Sequence, residues 1–429
     1  MKTSRKNRPF DIVVYGATGF VGQLVARYLA DGAELGDGKR IALAGRTKSK
    51  LENFRERLAA QFPEVGDWGI VVADATQEES IQAMAADTRV VISTVGPYIK
   101  YGEVLVRACA ESGTDYVDLC GEVQFMRRTI ERYHDRAAET GANIVHACGF
   151  DSVPSDIGLF LAHRAAEGEP IAEDNLLVKM SGKLSGGTIA SMIGEMEARH
   201  NDPEARRIHD DPYSLSPDRN SEPDLGKQPD YGIIRTESIG APKGYAGAFL
   251  MASANTRVVR RSNSLLHHAY GKNLRYSEYS ETGPGVSKAM LAGVISGGLW
   301  IAREVVSRPK VRRYVEDKIT KPGDGPTEQE RDAGWFELTH YARTESGRMF
   351  TATVASDADP GYKSTCSLLS EAALTLLDIE DAREANNSEV TGGLLHGGVL
   401  TPATALGMPY VHRLRRAGFN LRAGKLSRS

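Results

Sequence analysis

Asp11-Ile12-Val13-Val14-Tyr15-Gly16-Ala17-Thr18-Gly19-Phe20-Val21-Gly22 is a short apolar run that ends in three spaced glycines. Its β-branched first half reads as a buried strand. Beyond it, Val21, Leu24, Val25, Tyr28 and Leu29 recur at i, i+3, i+4, i+7 and i+8, which places them on one face of a helix. A glycine turn between a strand and a helix is a place where a pyrophosphate binds. Gly16 permits the tight turn, Gly19 lets backbone N–H groups approach the ligand, and Gly22 lets helix pack on strand. Residues Gly16, Ala17, Thr18, Gly19, Phe20, Val21 and Gly22 are therefore the candidates for holding a dinucleotide.

Working outward, apolar runs at 40–44, 69–73, 89–94, 116–119 and 143–147 alternate with helix-period segments. That alternation is the signature of stacked βαβ units and a parallel sheet. An NAD site would place an acid at the end of the second strand, but the chain reads Ala44-Gly45-Arg46-Thr47-Lys48-Ser49-Lys50 there. Arg46, with Lys50 behind it, suits the 2′-phosphate of NADP(H), because a guanidinium can grip phosphate through two hydrogen bonds. Asp74 ends the third strand, and Val95, Gly96, Pro97 and Tyr98 follow the fourth, where they should border the nicotinamide ribose. Tyr98 and Tyr101 are candidate proton donors, and each could equally be a packing residue.

The sixth strand runs into His146-Ala147-Cys148-Gly149-Phe150-Asp151-Ser152-Val153-Pro154-Ser155-Asp156, a turn of small and polar residues where substrate should meet cofactor. Cys148 reads as a small buried cysteine ahead of a thiolate nucleophile. Asp151 and Asp156 read as caps of the following helix. His146 reads as a core residue. The Tyr-x-x-x-Lys of short-chain dehydrogenases is absent from this half, and Tyr314-Val315-Glu316-Asp317-Lys318 is a chance match in a basic stretch.

After about residue 155 a second, α+β domain is expected. It has helices near 157–165 and 188–200, a strand near 175–181, and an antiparallel sheet carried by 273–282, 335–343 and 348–355. Residues 201–242 hold six prolines and read as an irregular substrate-side loop or lid. Residues 289–302 are apolar but too short to span a bilayer, and a basic stretch, 303–321, follows them.

With 429 residues, the chain is long enough for two or three domains. The near balance of 53 Lys+Arg against 56 Asp+Glu leaves no basic field to hold nucleic acid. Cys109, Cys120, Cys148 and Cys366 are scattered, without the spacing of a disulfide framework or a zinc site, so no metal is expected and a cytoplasmic location is.

GATGFVG, AGRTKSKL, STVGPYIKYG, TDYVDLCGE, VHACGFDSVPSD, Asp359-Pro360-Gly361-Tyr362-Lys363 and Gly398-Val399-Leu400-Thr401-Pro402-Ala403 resemble the saccharopine dehydrogenase-like superfamily. Over nearly its whole length the chain is similar to the mycobacterial trans-acting enoyl reductases, associated with polyketide-derived cell-envelope lipids. The resemblance implies a Rossmann-type doubly wound parallel sheet over residues 10–155 and an inserted substrate or dimerisation domain over 156–358. It also implies a C-terminal return, 359–420, to the nucleotide domain. It further implies NADPH-dependent reduction of a lipid-like acyl substrate, presented by a polyketide synthase or an acyl carrier domain, but supplies no catalytic acid; the developing enolate needs a donor, for which Tyr98, Tyr101 or backbone N–H groups near Gly149 are the candidates. Two other readings stay open at this point. One is a saccharopine-type C–N oxidoreductase, which would use Arg257, Arg260 and Arg261; the other is a non-catalytic NADP(H)-binding protein at lipid membranes. A homodimer, and peripheral contact with the inner face of the plasma membrane through 289–313, complete the expectations.

Overall fold

The computed structural model describes residues 5–32, 38–182, 186–305 and 325–426. Two seven-stranded sheets dominate it. The first is built from β1 (Phe10–Tyr15), β2 (Ile41–Gly45), β3 (Gly69–Val72), β4 (Thr88–Ser93), β5 (Asp115–Asp118), β6 (Asn143–Val145) and, from far along the chain, β13 (Gly398–Leu400). Its order is β13-β6-β5-β4-β1-β2-β3 and every pair in it is parallel.

Burial on both faces explains why these strands read as unbroken apolar runs. Ile12 and Val14 of β1 point into one core layer with α1 (Phe20–Asp31) and α2 (Lys48–Ala59), whereas Val13 and Tyr15 point into the other. That second layer holds α3 (Glu78–Ala86), α4 (Tyr98–Ser112) and α5 (Val123–Thr140). The first 155 residues therefore leave the α1 side of β4 and β5 without a helix. A later helix, Thr365–Glu384, covers it: it packs on β4, β5 and α1, with Leu368, Leu369, Ala372, Ala373 and Leu376 fully buried.

The second sheet runs β14-β12-β11-β7-β10-β9-β8. Its strands are β7 (Ile171–Ser181), β8 (Ile234–Arg235), β9 (Tyr245–Ala248), β10 (Arg275–Gly283), β11 (Trp335–Thr344), β12 (Met349–Ser356) and β14 (Asn420–Lys425). An antiparallel sheet is expected from the sequence, but β7 and β10 pair in parallel, so the sheet is mixed. The crossover that makes this pair parallel runs from residue 182 to 274 and contains α7 (Gly186–Asn201), α8 (Pro203–Asp210) and α9 (Ala252–Leu265). The C-terminal return is also divided. β13 joins the first sheet, while β14 pairs with β12 in the second.

The sheets are joined by α6 (Val153–Ala165), which continues from β6 and packs on β11, β12 and β14. Gly158 makes that contact possible, because a Cβ there would lie 2.1 Å from His340 Nε2. Residues 201–242 are less irregular than their prolines suggest, with α8 and β8 inside them and Tyr213, Leu215 and Ser216 buried. The basic residues Arg308, Lys310, Arg312 and Arg313, together with Tyr314 to Lys318, lie outside the described residues.

Candidate NADP(H) and substrate site

The glycine loop forms because its neighbours leave no room for side chains. Gly16 has φ +89°, and a Cβ on it would meet Thr94 Oγ1 at 2.6 Å and Val95 Cγ2 at 2.8 Å. A Cβ on Gly22 would lie 2.1 Å from the Gly16 carbonyl oxygen, so the first turn of α1 sits directly on the loop. Gly19 differs: its missing Cβ would meet only Gly16 O, at 3.2 Å. As the N-cap of α1 it brings no side-chain cap, so the leading N–H groups of the helix remain free for an anion. Gln23 Nε2 donates to Thr18 O at 2.9 Å and steadies the loop. Phe20 packs edge-on against Tyr362, with ring centroids 5.1 Å apart, which brings the Asp359 to Lys363 segment beside the loop.

Arg46 and Lys50 are both exposed beyond the end of β2. Asp74, at the end of β3, accepts hydrogen bonds from the Thr76 amide (2.9 Å) and hydroxyl (2.8 Å). Those two bonds, and then the field of Arg46, hold its carboxyl below the usual range. A dinucleotide with a 2′-phosphate fits this arrangement: a glycine cradle at an uncapped helix start, then an exposed guanidinium where NAD would need an acid.

Val95, Gly96 and Pro97 lie partly exposed at the carboxyl end of β4. Tyr98 is a correction to the sequence reading. Its side chain is only 4% exposed, its hydroxyl donates to Ser93 O at 3.1 Å, and burial pushes its pKa well up, so it packs α4 onto α5 and has no free face from which to protonate a substrate. Tyr101 is exposed. At the same helix start, Glu122 accepts the Tyr98 and Ile99 amides at 3.0 and 2.7 Å and the Ser191 hydroxyl at 2.9 Å. Burial raises its pKa against the pull of those amides.

The junction turn also differs from its sequence reading in part. Ser152, not an aspartate, is the N-cap of α6, and it makes no side-chain cap. Asp156 lies deeper, accepting from the Ser262 hydroxyl and from Ala403 N (2.8 Å), and so ties α6 to α9 and to the short helix Pro402–Ala405. Burial pushes its carboxyl up to about 6. Asp151 has no hydrogen-bond partner among the described residues, and burial, then the field of Asp118, pushes it to about 7. Cys148 is buried with Sγ 3.4 Å from Val145 O, and burial raises its thiol well above the range of a nucleophile. His146 is a core residue: its Nδ1 lies 2.7 Å from Asp118 Oδ2 and its Nε2 lies 2.9 Å from Thr129 Oγ1.

Asp118 itself was not singled out from the sequence. It also accepts from Tyr116 Oη, Cys120 N and Ala147 N, and so fixes the turns after β5 and β6 together. Its signal was an acid at the end of an otherwise apolar buried strand, Tyr116-Val117-Asp118.

Arg257, Arg260 and Arg261 are neither a carboxylate clamp nor a solvated face, since all three are under 5% exposed. Arg257 donates to Asp230 (2.6 Å) and His209 O (2.8 Å), and Arg260 to Gln228 (3.2 Å) and Tyr276 O (3.1 Å). Arg261 donates to Leu215 O at 2.6 Å and to Val399 O. They pin residues 209–230 to the body of the molecule.

The saccharopine dehydrogenase NADP binding domain family matches residues 12–145, the span that contains the loop, Arg46 and residues 95–98. With an NADP-binding domain of this family at residues 12–145, the chain is an NADP-dependent oxidoreductase. The apo saccharopine dehydrogenase (L-Glu forming) of Saccharomyces cerevisiae shares the fold, with a TM-score of 0.50 at 14% identity over 97% of this chain and all of its own. A trans-acting enoyl reductase of Mycobacterium ulcerans is 42% identical over 99% of this chain and 100% of its own length. Another, from Mycobacterium tuberculosis H37Rv, is 41% identical over the same shares. The chain belongs to the trans-acting enoyl reductase family.

Proposed function

We propose that the protein uses NADPH to reduce the carbon–carbon double bond of an enoyl thioester, a lipid-like acyl intermediate handed over by a polyketide synthase or an acyl carrier domain. Full-length similarity to proteins named for that activity carries the reading. The use of Arg257, Arg260 and Arg261 inside the fold supports it against C–N chemistry, because saccharopine's amino-acid carboxylates would need basic partners free to meet them. In this reading the loop from Gly16 to Gly22 takes the pyrophosphate, Arg46 and Lys50 the 2′-phosphate, and residues 95–98 border the nicotinamide. Residues 10–155 with the 359–420 return form the nucleotide half, and 156–358 faces the acyl chain. Bound NADPH supplies a hydride to the β-carbon. The chain's own work is to hold the thioester over the carboxyl ends of β4, β5 and β6, to exclude water, and to deliver the proton.

Purified protein with NADPH should oxidise the cofactor when offered a long-chain 2-enoyl thioester on a carrier domain, and should leave saccharopine with NADP⁺ untouched. Turnover of saccharopine without turnover of any carrier-bound enoyl group overturns the reading.

A peripheral membrane contact belongs to the same proposal. The helix Val286–Val305 exposes Val286 (72%), Met290 (66%) and Val294 (70%), spaced four apart on one face, with Ile233 and Ile301 also exposed. No helix among the described residues is long and apolar enough to cross a membrane. An exposed apolar stripe followed in sequence by Arg303, Arg308, Lys310, Arg312 and Arg313 suits the headgroup boundary of an anionic leaflet. Co-sedimentation with phosphatidylserine vesicles should be lost in Met290→Glu with Val294→Glu. Retention of binding in that double variant refutes the contact.

A further inference from the structure

From Ala142 to Leu159 every residue is buried except one, Asp151. That run crosses β6, the junction turn and the first half of α6, so the fold spends seventeen residues on its core and lets a single side chain reach outward. The turn around it is rigidly placed. Cys148 N donates to Asp118 O at 2.7 Å, Phe150 N to Thr365 Oγ1 at 3.1 Å, and Ser152 Oγ to Asn255 Oδ1 at 3.0 Å. The place Gly149 leaves for a Cβ touches Leu119 and Thr365. Asp151 thus stands at the carboxyl end of β6, in line with the partly exposed Leu119 and Gly121 after β5 and with Val95, Gly96 and Pro97 after β4. Two strand spacings, roughly 10 Å, separate the β4 loop from the β6 turn, which is room for a nicotinamide and a conjugated enoyl group side by side.

We infer that Asp151 is the acid that protonates the α-carbon of the reduced substrate. This step rests on the enoyl reductase reading. Addition of hydride from NADPH to the β-carbon moves the double-bond electron pair into an enolate. The O–H bond of Asp151 then breaks, its proton forms the new Cα–H bond, and the pair stays on the carboxylate, which regains a proton from water. The surroundings hold the carboxyl ready for this. Asp118 is the charge whose field reaches it, and Asp118 is itself bonded to His146, Tyr116 and two backbone amides. Of the other charged groups on the elements packed there, Lys363 is paired with Asp332 at 2.6 Å and Glu122 is bonded to the start of α4. A carboxyl that titrates near neutrality keeps its proton at working pH and releases it readily, as a general acid must.

The test uses the full chain in two ways. Difference infrared spectroscopy of wild type against Asp151→Asn should show a protonated carboxyl at about pH 6 that disappears by about pH 8. A carboxyl already ionised at about pH 6 overturns the assignment whatever the enzyme turns over. In the enoyl thioester assay, Asp151→Asn should lower kcat at least about a hundredfold, within the range general acids contribute. NADPH affinity by fluorescence should stay within about twofold, and the fall in wild-type kcat above about pH 7 should vanish. Asp151→Glu should restore part of kcat. Full kcat with an unchanged pH profile in Asp151→Asn overturns the proposal. A wild type with the protonated carboxyl that reduces no enoyl thioester refutes the proposed function instead, and the protonation step falls with it.

Discussion

Arg46→Ala is the cleanest perturbation of the cofactor assignment, because the side chain does nothing measurable for the fold. It is exposed, and it makes no hydrogen bond or ion pair among the described residues; its field reaches Asp74 and Tyr15. Removing it should leave the melting temperature unchanged. What it should remove is the grip on the 2′-phosphate, a hydrogen bond to a charged group worth about 1.5–3 kcal/mol. Exposure favours the lower end of that range, since salt screens such a contact over about 10 Å at 0.1 M. At about 1.4 kcal/mol per factor of ten, the NADPH Kd should rise about tenfold to a hundredfold. NADH has no 2′-phosphate, and its Kd should move by less than about twofold. Fluorescence titration of both cofactors into wild type and variant measures this, and repetition at about 0.5 M salt should shrink the wild-type preference. Equal losses for NADPH and NADH, or none for either, would refute the role given to Arg46.

Gly22→Ala should damage the loop itself: its Cβ would fall 2.1 Å from Gly16 O, and overpacking of this kind costs about 1–3 kcal/mol, read as a drop in both NADPH affinity and urea midpoint. Tyr98→Phe should cost about 1 kcal/mol of stability through the lost bond to Ser93 and leave kcat within about twofold; a large loss of kcat at unchanged stability would restore Tyr98 to the chemistry. The partly exposed Asp151 and the buried Asp156 and Glu278 have carboxyls pushed up by desolvation to about 7, about 6 and about 7. The folded state therefore keeps protons that the unfolded chain loses near pH 4, so their contribution is full below about pH 4 and is lost as pH rises toward about 7. Thermal unfolding should show Tm falling between about pH 5 and pH 8, less steeply in Glu278→Gln; a rise over that window contradicts the assignment.

Much of the nucleotide half was legible because each of its strands is buried on both faces and declares itself as an apolar run. The second half hid its topology for a physical reason. β7 and β10 are adjacent and parallel, but the chain between them is a long excursion whose course depends on what it packs against. Local periodicity marks the strands and says nothing of their order. The same holds for β14, six residues of which only Leu421 is buried, so that no local pattern announces its pairing with β12.

The site divides along the same line. Glycines whose side chains would collide, and an arginine standing where an acid is usual, are properties of single positions and can be read one at a time. The meaning of Arg257, Arg260, Arg261 and Tyr98 depends on partners 5 to 138 residues away, and the structure turns all four from candidate chemistry into scaffold. Asp151 moves the opposite way. By sequence it looked like one of two helix caps, but Ser152 takes the cap position and Asp156 turns inward to Ala403. That leaves Asp151 as an acid with no hydrogen-bond partner among the described residues, the one partly exposed position in a buried run, beside the strand ends where the nucleotide domain meets the second sheet. A fold that satisfies its neighbours and leaves this carboxyl without a hydrogen-bond partner among the described residues bears a cost in stability there, and the proposed protonation step would account for it.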